Sequence, residues 1–226
     1  MSRRWLAATV LLAVLGISGG VTWALLGSGL FAVRSVVVTG TRLVPESEVI
    51  AVADVQPGIP LIRVNTAQIA ARVLSIRQIL AVRVATSWPD RVVITVRERT
   101  AALAVPLPGG GFDLIDANGV VVQSAASRPP GLPVYTTTAA VSSLRGDPDV
   151  SAAAAVVGAL PARLRSSVTS VTAPSPDQVT LQLTGGVTVV WGDADDAAAK
   201  ARELGILMQT HARYYDVSSP ATAVTN

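Results

Sequence analysis

Apolar positions open the chain as one unbroken block and then give way to short periodic runs. Between Arg4 and Arg34 there is no charged side chain, and residues 5–33 are mostly Leu, Val, Ala, Ile and Gly with a few hydroxyls. About twenty such residues cross a bilayer core of roughly 30 Å, so the block predicts a transmembrane helix over residues 5–30. A cleaved signal sequence would have a shorter apolar region, about 7–15 residues, followed by a small-x-small cleavage site. "TWALLGSGLFAVRS" offers only poor sites and stays apolar beyond them, which predicts a retained anchor. Arg3 and Arg4 before the span give a weak positive-inside bias. Residues 1–4 are then a short cytoplasmic tail, and the bulk of the chain lies outside. No later apolar run approaches spanning length, so the pattern is that of a single-pass type II membrane protein.

Beyond the block the periods are those of strands and short helices. "FAVRSVVVTG", residues 31–40, alternates as a strand and ends on a glycine turn. "VPESEVIAVADV" reads as a helix with Pro45 at its first position, Glu46 and Glu48 at the positive end of its dipole, and Val49, Ile50, Val52 and Ala53 as its apolar side. "QPGIP" breaks it. Asn65 or Thr66 caps a second helix in "NTAQIAARVLSI". Its stripe is Ile69, Val73 and Ile76 with Ala70 and Leu74, and Gln68, Arg72 and Ser75 fall on the wet side. Strands at 79–88 and 91–97 follow, joined by Pro89-Asp90. In the second of them Val92, Ile94 and Val96 point one way, and Arg91, Val93, Thr95, Arg97 and Arg99 the other. The order β-α-α-β-β predicts a small sheet with two helices on one face.

The second half is richer in strands. "AALAVP" reads as a strand, and "FDLIDANGVVVQS" as a hairpin in which Ala117-Asn118-Gly119 supplies the positive φ of the turn. A proline-rich loop spans 124–138 and an alanine-rich helix 150–164. Strands are expected at 168–172, 179–183 and 187–191, the last two joined by Thr184-Gly185-Gly186. In "GDADDAAAKARELGILMQTHA" Asp193 caps a helix, Asp195 and Asp196 complement its dipole, and Ala197, Ala201, Leu204 and Met208 form the stripe. Tyr214-Tyr215-Asp216-Val217 begins a last strand. The fold class is α+β.

Composition narrows the chemistry. Half of the residues are apolar but only 4% are aromatic, which favours thin β-rich layers with small helices. Cysteine is absent, so disulfides, thiolate metal sites and thiol catalysis are excluded. Lys200 is the only lysine, the net charge is +3, and the arginines are dispersed; nucleic-acid binding needs a dense basic face. His211 is the only histidine and reads as a surface residue near a helix C-terminus. No nucleophile-elbow G-x-S-x-G occurs. Asp193, Asp195 and Asp196 lack the glycine and glutamate of a calcium loop. Gly109-Gly110-Gly111 lacks the Lys-Ser/Thr of a phosphate loop. Asp113 and Asp116 are too close and too differently directed for an acid/base pair, and Trp88 and Trp191 read as strand packing. No catalytic residue, cofactor or metal ligand is expected.

The composite pattern carries a resemblance. "FAVRSVVVTG" resembles the V-x-x-V-x-V-x-G strand that opens a POTRA domain. Together with the preceding span, the "SWPDRVVITVRER" hairpin ending in Glu-Arg, and "DLIDANGVVV", it resembles the FtsQ/DivIB family of bacterial cell-division proteins, and the Ala-, Val- and Arg-rich composition leans actinobacterial. The resemblance implies a POTRA domain over 31–99, a β domain over 100–217, and a C-terminal edge segment or tail over 218–226. Arg97, Glu98 and Arg99 then either form a polar joint at the domain seam or merely solvate a strand end. The implied role is a divisome assembly scaffold at the division septum, with FtsB/FtsL (DivIC-type) partners and, beyond them, FtsW and the septal transpeptidase. The alternatives are another POTRA-bearing secretion or envelope-assembly factor and a membrane-tethered cell-wall enzyme. The resemblance also implies that a partner adds a strand at the C-terminal edge, through Tyr215, Asp216, Val217, Ser218, Ala221, Thr222, Ala223 and Val224. Pro220 agrees with an edge, where a missing ladder donor is tolerated.

Overall fold

The computed structural model describes residues 3–26, 31–219 and 224–225. Helix α1 is Arg3–Leu26. Its length would reach across a bilayer core, but the side chains described on it are those of residues 10–20 and Trp23, and all are exposed. Among the described residues, no helix is long and apolar enough to cross a membrane. Residues 27–30, the end of the expected span, lie outside the described residues. The chain divides into two compact units between Glu98 and Arg99.

In the first unit β1 (Ser35–Thr39), β3 (Arg91–Glu98) and β2 (Ile79–Ser87) form a sheet in the order β1-β3-β2. β1 runs parallel to β3, and β2 antiparallel to it. Strand alternation turns Val92, Ile94 and Val96 into the core, where they join Val49 and Ala53 of α2 (Glu46–Ala53) and Ile69 and Val73 of α3 (Thr66–Val73). Each of these valine and isoleucine side chains contributes about 1.5–3 kcal/mol by leaving water. Gly40 ends the opening strand at φ +91°, and a Cβ there would lie 2.1 Å from the carbonyl oxygen of Val96. Only glycine fits so close an approach.

Several helix assignments change. Pro45 is the N-cap of α2 and not its first residue. Asn65, not Thr66, caps α3, its side chain accepting from the N–H of Gln68. α3 ends at Val73, so Leu74 leaves the stripe and stands 46% exposed; Ile50 is exposed as well. Arg72 is only partly on the wet face, being half-buried. Its guanidinium donates to the carbonyls of Ala53 and Asp54, satisfying carbonyls that the end of α2 leaves without an intrahelical partner.

The second unit is built on a nine-stranded mixed sheet. Its strands are β4 (Leu103–Pro106), β5 (Phe112–Ile115), β6 (Val121–Ala125), β7 (Val134–Tyr135), β8 (Val168–Thr172), β9 (Val179–Leu183), β10 (Val187–Gly192), β11 (Tyr214–Asp216) and β12 (Val224–Thr225). The spatial order is β12-β11-β10-β9-β8-β7-β4-β5-β6. β7 sits inside the segment expected to be a loop, and it holds the halves together: Val134 pairs in parallel with Ala104 on one side and Ser170 on the other. The expected single alanine-rich helix is two helices, α4 (Pro148–Ala159) and α5 (Ala162–Ser167). Pro161 separates them, because proline cannot continue an i→i−4 ladder. α4 packs against β9 and against α6 (Ala197–Leu207). Its buried Ala152, Ala153 and Ala154 allow a close approach to a core of Leu103, Ile115, Leu181, Val189, Trp191 and Leu204.

Candidate functional site: the C-terminal sheet edge

The end of the second unit is a β-α-β crossover followed by a return strand. β10 leads into α6, and β11 then lies parallel to β10, with Thr188, Val189 and Val190 opposite Tyr214, Tyr215 and Asp216. Backbone bonds lock the register: the N–H of Thr188 donates to Arg213 O at 2.8 Å, and that of Val217 to Val190 O at 2.9 Å. Period-two alternation then separates the segment into two faces. Tyr215 and Val217 are 1% and 0% exposed and belong to the core; Tyr214 and Asp216 point the other way.

Asp216 ends the strand. Its Oδ1 accepts from both the N–H and the hydroxyl of Ser218, at 3.0 and 2.7 Å, a local turn that competes with further ladder pairing. Ser218 also lies over Gly192, where a Cβ would come within 2.9 Å of the serine Cβ. After the turn, β12 returns antiparallel to β11, with Thr225 opposite Tyr215 and Val224 opposite Asp216. The expected single last strand is therefore a hairpin, and β12 is the edge of the sheet.

The crossover is held by an ion pair that the sequence reading missed. Lys200 on α6 is only 2% exposed, and its Nζ donates to Asp193 Oδ1 at 2.6 Å and to Asp193 O at 3.2 Å. The hydrogen bond from Lys200 holds the Asp193 carboxyl below the usual aspartate range, with the nearby positive charge and the N–H of Asp195 acting the same way and partial burial opposing. Asp193 is thus not the helix cap. That place falls to Asp196, in a left-handed conformation without a side-chain cap bond. The clue available in sequence was a lone lysine seven residues after an aspartate at the strand end.

Of the residues expected to bind a partner, Tyr215 and Val217 serve the core, Asp216 and Ser218 form the turn, and Val224 lies on β12. Ala221, Thr222 and Ala223 fall outside the described residues. Tyr214, 38% exposed, joins the outward face. The Tyr-Tyr-Asp-Val alternation already held that distinction between Tyr214 and Tyr215.

A small β-α-α-β-β unit followed by a mixed-sheet unit defines a two-unit protein with a POTRA-type first unit. Residues 31–99 match the FtsQ-type POTRA domain family, and residues 105–218 match the C-terminal domain family of the cell division protein FtsQ/DivIB. Cell division protein FtsQ of Streptomyces collinus is 36% identical over 237 residues, a match covering 100% of this chain and 89% of the relative. That of Streptomyces venezuelae is 35% identical, covering 97% and 83%. That of Mycobacterium leprae is 38% identical over 95% of this chain, which spans 61% of that relative's length. The chain belongs to the FtsQ/DivIB family of cell division proteins.

Proposed function

We propose that the chain is a membrane-anchored scaffold of the division apparatus whose β12 edge accepts a strand from a small division protein of the FtsB/FtsL (DivIC) type. α1 would be the single anchor, with residues 1–4 in the cytoplasm and both units outside at the septum. Through those partners the chain would act on FtsW and the septal transpeptidase. One observation carries this reading: among the described residues β12 pairs only with β11, leaving one side of its backbone open. Unpaired N–H and C=O groups at an edge supply affinity to an added strand, and the outward side chains supply specificity. The chain would act by binding and not by catalysis. His211 is exposed and in a left-handed conformation just after a helical turn. Photo-crosslinking from position 225 of the full chain in dividing cells tests the reading. The expected product joins the chain to an FtsB-type protein; crosslinks confined to other proteins overturn it.

A further inference from the structure

We propose that the β2–β3 turn of the first unit is a membrane-contacting foot that sits in the anionic headgroup layer of the same bilayer that α1 would cross; this rests on the anchoring reading above. Trp88 at that turn is 51% exposed, and it stacks edge-on against Phe31 with ring centroids 5.1 Å apart. A large aromatic half in water is costly in a unit with its own complete core, and indole rings concentrate where bilayer meets water.

The chain's path places this aromatic pair beside the anchor. Leu26 ends α1 and Phe31 is the next described residue, a span of five peptide steps or at most about 18 Å. Phe31 is firmly tied to the unit: its carbonyl accepts from Leu61 N–H at 2.8 Å, and Val33 N–H donates to Ile59 O at 2.9 Å. The turn is tied to the same entry strand, since Asp90 O accepts from the N–H groups of Arg34 and Ser35 at 2.9 and 3.3 Å. Whatever plane α1 crosses, Trp88 is held within one short tether of it.

Charge completes the match. Arg34 and Arg91 are exposed on either side of the turn, and Arg63 is exposed beside Ile62, a 58% exposed aliphatic next to Leu61. Asp90 is the one acid at the turn, and it approaches Arg91 at 3.9 Å. On the open face of the sheet Arg91 is the charge next to the turn, opposite Ser87. Exposed arginines next to an exposed aromatic and an exposed aliphatic suit lipid phosphates above an acyl boundary, each such cation near an anionic surface adding attraction of order 1 kcal/mol at close range.

The absence of cysteine makes the test clean. Full-length chains carrying Ser87→Cys, Ala71→Cys or Ile17→Cys are labelled with a nitroxide and reconstituted in phosphatidylcholine/phosphatidylglycerol vesicles. Accessibility to a lipid-soluble and a water-soluble relaxant is then read. The label at 17 reports the anchor, that at 71 the helix face, and that at 87 the foot. The expected result is a buried label at 17, an aqueous one at 71, and one at 87 at headgroup depth that moves severalfold toward the aqueous value when Arg34→Glu, Arg91→Glu and Trp88→Ser are combined. A label at 87 as aqueous as that at 71, with 17 buried, overturns the foot while leaving the anchor. An aqueous label at 17 overturns the anchor and the foot together.

Discussion

Glu98 and Arg99 are adjacent in sequence and act in opposite directions. The Glu98 carboxylate accepts from the N–H groups of Arg42, Leu43 and Val44, at 2.9–3.0 Å, and so pins the loop between β1 and α2. Arg99 Nη1 donates to Asp116 Oδ2 at 2.6 Å, while Asp116 Oδ1 accepts from the N–H groups of Asn118 and Val120 and shapes the β5–β6 turn. The strand stops where one charge is used by the first unit and the next by the second. Partial burial pushes the Glu98 carboxyl up, but the three N–H donors and the Arg42 charge outweigh it, and its value lies below that of an ordinary glutamate. Its stabilising contribution is therefore complete above the unfolded value of 4.5 and fades as pH falls through the lower folded value. Glu98→Ala leaves the N–H groups of exposed Arg42 and Leu43 to water but strands that of buried Val44, and is expected to cost about 1 kcal/mol at neutral pH. Thermal melts of the full chain at pH 7 and in acid check this: the gap between wild type and variant narrows on acidification.

At the scale of elements, α3 shows what periodicity conveys and where it stops. Ile69 and Val73 were legible as a stripe, because a spacing of four keeps one face; Ile76 is buried as well, but from the turn after α3. Leu74, the C-cap of α3, is exposed between buried Val73 and Ile76, and its apolar side chain alone did not separate it from them in sequence. Arg72 was unreadable for a related reason: its partners are carbonyls nineteen and eighteen residues away on another helix. Val73→Asp is expected to cost more than about 3 kcal/mol by placing a carboxylate in the core. Leu74→Asp should cost little, and Arg72→Asp should fall between them; urea midpoints of the three variants give the order. The β10–α6 crossover offers a second test. Asp193→Ala leaves a buried ammonium short of its partner and is expected to cost about 2 kcal/mol, below the fully buried range because Asp193 is partly wet. Lys200→Met removes the charge along with its need for a partner and should cost less. The reverse order in calorimetry would show that the pair does not govern the crossover.

For the whole molecule, the order of elements was largely visible in the chain. The first unit's alternating strands and capped helices follow from local signals that agree with one another. The long-range features were not: β7, two residues set in a proline-rich stretch, gains strand character only from neighbours on both sides, and the return of β12 onto β11 turns an apparent single strand into a hairpin. On the proposed reading that hairpin matters most, because it decides which backbone groups remain open to a partner strand. In an antiparallel pair successive N–H groups face opposite sides, so Val224→Pro and Thr225→Pro remove different bonds, one toward β11 and one toward solvent. The most direct measurement is capture of an FtsB-type partner by these two full-length variants, read beside their melting temperatures. The expected result is that one variant keeps the wild-type melting temperature and loses most of its partner capture. Unimpaired capture by both variants, and by a chain lacking residues 220–226, would contradict strand addition at this edge.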